Sequence, residues 1–245
     1  AAGKPVFASS FAMFAAGRAF EQIRNSVAYP HLNVKIAATH AGITVGEDGA
    51  THQCLEDIAL MRVLPGMTVI SPADAVEAVA ALKAALEMTG PCYLRFGRYA
   101  VPVLHDPDTY RFEIGKGEVL REGKDVAIIA TGIMVPEAIE AGKVLAQQGI
   151  DAMVINMATI KPLDEALVLQ AAKECGKIVT AEEHNIIGGL GEAVCACVAE
   201  HCPVPVKRIG VQDTFGHSGP AVDLLKQFGL CADNIASVTR TFVGK

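Results

Sequence analysis

A chain of 245 residues, of which 51% are hydrophobic and 20% charged, has ample apolar material for one large domain or two ordinary ones. Its net charge of −6 argues against a global attraction to nucleic acid, and no apolar run reaches the ~18 residues of a membrane span. The seven cysteines are odd in number and lack the spacing of a disulfide framework or a zinc site. We interpret them as reduced cysteines of a cytoplasmic protein.

The first hundred residues alternate between short apolar strands and helices, a pattern typical of a parallel sheet covered by helices. Strands are predicted at residues 6–9, 33–38, 67–70 and 91–96, and helices at residues 11–27, 55–63 and 71–88. Ser9 or Ser10 is the expected N-cap of the first helix. The segment SPAD at residues 71–74 suits the start of the third helix.

Between the second strand and the second helix lies the segment THAGITVGEDGATHQ, residues 39–53, which we predict to be a loop and call the site loop. Loops at the carboxyl ends of parallel strands carry the chemistry of many α/β proteins. His40 and His52 supply imidazoles suited to proton transfer near neutral pH, and Asp48 can accept a hydrogen bond from a substrate hydroxyl. The residue types alone leave catalysis, metal binding and a merely solvated loop open.

A second alternation of strands and helices follows a segment of different composition. Residues 101–122 contain prolines and many charges, which predicts a linker that ends in a short strand. Strands are then predicted at residues 125–131, 151–157, 177–181 and 204–209, and helices at residues 136–148, 164–175, 190–202 and near the end of the chain. This pattern predicts a second parallel-sheet α/β domain.

Four segments together resemble the transketolase family: ASSFAMFAAGRAFEQIRNSVAYP at residues 8–30, the site loop, SPAD, and EEHNIIGGLGEAV at residues 182–194. The block GEDGATHQ is the most specific, and the resemblance covers essentially the whole chain. It is strongest to transketolases encoded as two subunits. It implies a pyrimidine-binding domain at residues 1–100, truncated at its N-terminus, a linker at residues 101–122 and a transketolase C-terminal domain at residues 123–245. The first residues, AAGKP, lack a methionine, which also indicates a processed or truncated product.

The resemblance also assigns a cofactor contact to two aromatic residues of the first predicted helix. Phe11 and Phe14 match the pair of phenylalanines that packs against the aminopyrimidine ring of thiamine diphosphate. A flat aromatic wall suits a flat heterocycle. Helical periodicity alone favours the alternative that these two residues belong to the core.

The substrate contacts implied by the resemblance lie in the site loop and just after the fourth strand. His40, Asp48 and His52 match the family's His, Asp and His: His52 is expected to help proton transfer, and Asp48 to distinguish hydroxyl configurations. His40 and Arg95 are expected to reach the sugar and its phosphate. Arg98 is the rival of Arg95, because the segment LRFGRY contains both. Glu182, Glu183 and His184 are interpreted as structural.

The implied activity is the transfer of a two-carbon ketol unit from a ketose phosphate to an aldose phosphate. The family holds the diphosphate and Mg²⁺ with a GDG motif that this sequence lacks, so no metal site is predicted here. An N-terminal partner subunit or domain is therefore expected to hold both, in a homodimer or heterotetramer, and the isolated chain is expected to be inactive. Two alternatives stay open: a deoxyxylulose-phosphate synthase-like carboligase, and a non-catalytic assembly subunit.

Overall fold

The computed structural model describes residues 2–244, which form two β-sheets flanked by helices. Their strands are β1 (Val6–Phe11), β2 (Val34–Thr39), β3 (Thr68–Ile70), β4 (Cys92–Arg95), β5 (Glu118–Arg121), β6 (Val126–Ala130), β7 (Ala152–Asn156), β8 (Thr159–Lys161), β9 (Ile178–Asn185) and β10 (Val206–Val211). The spatial order is β1-β2-β4-β3-β8 in the first sheet and β10-β9-β6-β7-β5 in the second.

Helices cover both sheets. The α-helices are Phe20–Gln22, Asp57–Arg62, Ala75–Glu87, Met134–Gln147, Glu165–Cys175, Leu190–His201, Ala221–Gln227 and Ala232–Val243. Two π-helical segments, Met13–Arg18 and Ile23–Ala28, flank the shortest α-helix. None of the helices within residues 2–244 is long and apolar enough to cross a membrane.

The predicted fold class, two α/β domains with mostly parallel sheets, is confirmed. Four strands of each sheet run parallel to their neighbours, and β6 and β7 are buried along their whole lengths, as expected where helices cover both faces. Two strands differ from the expectation. β5 pairs antiparallel with β7, and β8, which the sequence did not predict, pairs antiparallel with β3 of the first sheet.

The two predicted helix starts had different outcomes. The cap at Ser9 or Ser10 is wrong, because both residues belong to β1 and lie beside Ala37 and Ala38 of β2; no side chain caps the helical segment that follows. The start at SPAD is confirmed, since the Asp74 carboxylate accepts a hydrogen bond of 2.8 Å from the backbone N–H of Glu77.

The carboxyl ends of three parallel strands meet at one edge of the first sheet. Phe11 at the end of β1 lies beside Thr39 of β2, and Ala38 lies beside Arg95 at the end of β4. The site loop follows β2 directly, with a 3₁₀ segment at Ile43–Asp48. Loop residues and strand ends therefore converge at this edge, as the sequence predicted.

Candidate functional site

Two phenylalanines lie at the end of β1 and in the helical turn after it. Phe11 is the last residue of β1, and Phe14 lies in the segment Met13–Arg18. Their rings are nearly parallel, with an interplanar angle of 7° and centroids 6.1 Å apart, and both side chains are half-buried. Together they form a flat apolar surface of the kind that packs against a planar heterocycle.

Both histidines of the site loop contact these rings. The His40 imidazole stacks on Phe11 with centroids 3.8 Å apart and an interplanar angle of 10°. The His52 imidazole meets Phe14 edge-on at 5.3 Å and Phe11 at 6.2 Å. Phe11, Phe14, His40 and His52 thus form one contiguous group, which we call the ring cluster.

The backbone and hydroxyl groups beside the histidines fix their orientation. His40 has a φ of +57°, a left-handed conformation that is uncommon for a non-glycine residue and is frequent at functional sites. Its Nδ1 lies 3.0 Å from the Thr39 hydroxyl oxygen, and the Nδ1 of His52 lies 2.9 Å from the Thr51 hydroxyl oxygen. In each histidine the Nδ1 is engaged by the preceding threonine.

Two charged side chains act on His40. Partial burial lowers the pKa of His40, the guanidinium of Arg98 lowers it further, and the carboxylate of Asp48 raises it. Arg98 is largely exposed, and its Nη1 donates to the Val45 carbonyl oxygen at 2.6 Å and pairs with Glu47 at 3.3 Å. Asp48 and Arg98 therefore belong to the electrostatic surroundings of the ring cluster.

Arg95 is in a different environment. Its guanidinium is buried, donates to the Asp57 carboxylate at 2.8 Å and to the Glu183 carbonyl oxygen at 2.9 Å, and Tyr93 donates to the same Asp57 oxygen at 2.7 Å. Although burial opposes its charge, the carboxylates of Asp57 and Glu183 raise the pKa of Arg95. The substrate contact assigned to Arg95 from the sequence stays a prediction; in this structure its Nε and Nη2 donate to groups inside the protein.

Two further residues support the site loop: Glu183, which the sequence analysis interpreted as structural, and Gln53, which it did not single out. The Glu183 carboxylate accepts hydrogen bonds of 2.7 Å from both the backbone N–H and the hydroxyl of Thr44. Gln53 is buried and donates to the Ile43 and His217 carbonyl oxygens at 3.2 and 3.0 Å. The available signal was a pair of acidic residues inside the otherwise apolar strand segment IVTAEEHN, where a carboxylate needs a partner.

Glu182 and His184, the neighbours of Glu183, are fully buried. Glu182 accepts hydrogen bonds from the backbone N–H groups of Leu190 and Gly191, at 2.7 and 2.9 Å, at the start of the helix Leu190–His201. Burial raises the pKa of Glu182 to about 7 and lowers the pKa of His184 to about 4. Within residues 2–244, no group of three or more His, Cys, Asp and Glu side chains could hold a metal ion.

The electrostatic arrangement around His40 gives a testable pH dependence. Arg98→Gln removes a nearby positive charge, so we expect the pKa of His40 to rise, and Asp48→Asn removes a negative charge, so we expect it to fall. Titration of the histidine ring signals by NMR measures both changes, with the signals of the more distant histidines as internal control. An unchanged His40 titration in Arg98→Gln would contradict the arrangement.

Comparison with known proteins gives the same domains. The family models for the transketolase pyrimidine-binding domain and the transketolase C-terminal domain match residues 1–103 and 115–235. A Methanocaldococcus jannaschii protein named as a transketolase C-terminal section is 52% identical over 236 residues, which are 96% of this chain and 74% of that protein. A 6-deoxy-6-sulfo-D-fructose transketolase subunit of a Clostridium species is 47% identical over 96% of this chain and 73% of its own.

A solved structure agrees with these matches. A split-gene transketolase, described as an inactive β4 tetramer, is 54% identical and superposes with a TM-score of 0.92 over 98% of this chain and 76% of its own. The family models together cover most of the sequence, and the relatives are similar along nearly its whole length. The chain therefore belongs to the transketolase family and contains its pyrimidine-binding and C-terminal domains.

Proposed function

We propose that this chain supplies the pyrimidine-side and substrate-side residues of a thiamine-diphosphate-dependent transketolase, which transfers a two-carbon ketol unit from a ketose phosphate to an aldose phosphate. The observation that carries the proposal is the ring cluster, which brings Phe11 and Phe14 into contact with His40 and His52. An aromatic wall beside two imidazoles suits a planar cofactor and a substrate that exchanges protons.

The residues present fit the organic part of the cofactor. The nearly parallel, half-buried rings of Phe11 and Phe14 would hold the aminopyrimidine ring by apolar contact. When bound, thiamine diphosphate supplies the carbanion chemistry that ketol transfer requires. We propose that a partner subunit holds its diphosphate and the Mg²⁺, since Mg²⁺ requires carboxylate, carbonyl and phosphate oxygens in octahedral array.

The site loop and its surroundings would act on the sugar. With its Nδ1 engaged by Thr51, His52 would move protons to and from substrate hydroxyls through Nε2. Asp48 would accept a hydrogen bond from a hydroxyl of one configuration, and His40 would contact the sugar from its position on Phe11. We propose Arg98, rather than Arg95, for the phosphate, because the guanidinium of Arg98 is exposed and influences His40.

The partner is proposed to be an N-terminal transketolase subunit. Two relatives are named as a C-terminal section and as a subunit of transketolases, and a similar solved structure is a tetramer described as inactive. In this chain Val6 and Phe7 of β1 are 45% and 40% exposed, an apolar surface that suits subunit contacts. We propose a homodimer of this chain or a heterotetramer with the N-terminal subunit.

Reconstitution tests the proposal. The chain is mixed with a GDG-containing N-terminal subunit from the same genome, thiamine diphosphate and Mg²⁺, and ketol transfer between sugar phosphates is measured. We expect turnover by the mixture and none by either subunit alone. An inactive mixture would favour an assembly role, and release of CO₂ from pyruvate would favour a carboligase similar to deoxyxylulose-phosphate synthase. Turnover by the chain alone would contradict the need for a partner.

Asp48 gives a prediction on substrate selectivity. In the reconstituted enzyme, we expect Asp48→Ala to reduce the ratio of kcat/KM values for two ketose phosphates of opposite hydroxyl configuration by ~10–100-fold, the effect of a lost charge-assisted hydrogen bond. Steady-state kinetics with both epimers measure this ratio. Asp233→Ala, an exposed aspartate in the helix Ala232–Val243, is the matched control. Equal losses for both epimers would rule out a discriminating role.

A further inference from the structure

The N-terminal part of the site loop is attached to the second sheet by Glu183. Thr44 and Glu183 are both nearly inaccessible to solvent, and the two hydrogen bonds between them, each 2.7 Å long, join residues that are 139 positions apart in the sequence. Gly42 makes this approach possible: its φ is +84°, and a Cβ there would lie 2.1 Å from the Glu183 carboxyl carbon. The start of the loop thus leaves space for the Glu183 side chain at Gly42 and donates two hydrogen bonds to it from Thr44.

The C-terminal part of the loop is attached by Gln53. Its amide donates to the Ile43 carbonyl oxygen within the loop and to the His217 carbonyl oxygen outside it, at 3.2 and 3.0 Å. A Cβ at Gly49 would lie 2.5 Å from the Ser218 hydroxyl oxygen, so the loop is in close contact with residues 217–218. Because Gln53 directly follows His52, these bonds also fix the backbone from which the His52 imidazole projects.

We propose that Glu183 and Gln53 are positioning residues, through which the second half of the chain holds Asp48 and His52 at the ring cluster. The kinetic part of this inference rests on the proposed function, whereas the structural part does not. Misplacement of a reacting group by ~1 Å can reduce a rate about 10²-fold, so two buried attachment points have a large effect on catalysis without contacting substrate.

Gln53→Met is the decisive variant, because methionine keeps the length and approximate volume of the side chain and removes the amide donor. Its matched control is Gln170→Met, since the exposed Gln170 amide donates to the neighbouring Glu174 on the same helix, at 3.0 Å. Hydrogen exchange of the amides at residues 43–53 is measured on the chain itself. The values of kcat and KM are measured separately on the reconstituted enzyme.

We expect Gln53→Met to accelerate exchange in residues 43–53 selectively and to lower kcat by ~10–100-fold, with a smaller change in KM, whereas Gln170→Met behaves like the wild type. Unchanged exchange in the loop overturns the proposal, and so does faster exchange with wild-type kcat. If Gln53→Met unfolds generally, its loss of kcat does not report on the loop, and Thr44→Val is measured instead. This variant removes only the hydroxyl donor to Glu183. The same selective change in loop exchange is expected there, and its absence overturns the proposal.

The two proposals fail in different ways. If the wild-type mixture shows no ketol transfer, the proposed function is wrong, and the exchange measurement alone still decides whether Gln53 and Glu183 hold the loop. If the wild-type mixture is active and the loop variants retain both exchange and kcat, only the positioning role is lost.

Discussion

Substitution of His52 by alanine in the reconstituted enzyme is expected to lower turnover about 10²–10⁴-fold, the usual contribution of a positioned acid–base group. The imidazole lies edge-on to Phe14 at 5.3 Å, and its Nδ1 is 2.9 Å from the Thr51 hydroxyl oxygen, so its orientation is fixed before substrate binds. Initial rates at saturating concentrations of the donor and acceptor sugar phosphates give kcat, and the ratio of the wild-type and variant values measures the loss directly.

The control for this result is a histidine that lies away from the ring cluster. His201, at the end of the helix Leu190–His201, is half-exposed, and His201→Ala is expected to leave turnover unchanged. A further comparison with His52→Gln separates hydrogen bonding from proton transfer, since a carboxamide can donate a hydrogen bond but does not act as an acid or a base near neutral pH. Wild-type kinetics in His52→Ala would refute the proposed role.

The second large effect concerns stability. Asp57 is fully buried, and one of its carboxylate oxygens accepts hydrogen bonds from Arg95 at 2.8 Å and from Tyr93 at 2.7 Å. Asp57→Ala would leave the Arg95 guanidinium buried without this partner, with the Glu183 carboxylate 3.9 Å away. Breaking a buried pair from one side typically costs about 3–5 kcal/mol, so we expect the free energy of unfolding to fall by that amount.

Urea denaturation followed by far-UV circular dichroism measures this fall in the free energy of unfolding. It is seen as a lower urea concentration at the midpoint, with an unchanged dependence of the free energy on urea concentration. Glu47→Ala is the matched control, because it breaks the exposed Glu47–Arg98 pair, for which we expect a loss of about 0–1 kcal/mol. Asp57→Asn keeps the shape of the side chain and one hydrogen-bond acceptor while it removes the charge. We expect its loss of unfolding free energy to lie between the losses for Asp57→Ala and Glu47→Ala. A loss below ~1 kcal/mol for Asp57→Ala would show that the buried pair is not a stabilising element.

Local patterns predicted the alternation of strands and helices well, because burial on both faces of a parallel sheet gives short apolar runs such as Val126–Ala130. The position of the site loop was predicted by the same alternation, because the loop directly follows a short apolar strand. The start of the first helix was predicted wrongly, because Ser9 and Ser10, which favour helix N-caps, pair with β2 instead. Contact with a neighbouring strand thus overrides the local capping preference.

The surroundings of several candidate site residues depend on contacts between distant segments, which the sequence pattern does not reveal. Arg95 and Arg98 are three positions apart in LRFGRY, yet β4 ends at Arg95, which keeps that side chain buried, and Arg98 lies beyond the strand end and is exposed. The bond between Thr44 and Glu183 spans 139 positions, and the acidic pair in IVTAEEHN indicates a carboxylate that needs a partner without identifying Thr44 as that partner. The roles of His40, Asp48 and His52 stay predictions, as do the domain boundaries.

The pairing of β8 with β3 has a consequence for how the chain can be divided. β3 contains Val69 and Ile70, which are fully buried, and β8 covers the outer edge of that strand although it comes from the second half of the chain. A fragment that ends in the segment before β5 would leave this edge uncovered, with free backbone N–H and C=O groups beside apolar side chains. Such an edge is a template for intermolecular strand pairing, so we expect the first half expressed alone to aggregate instead of remaining a separate folded unit.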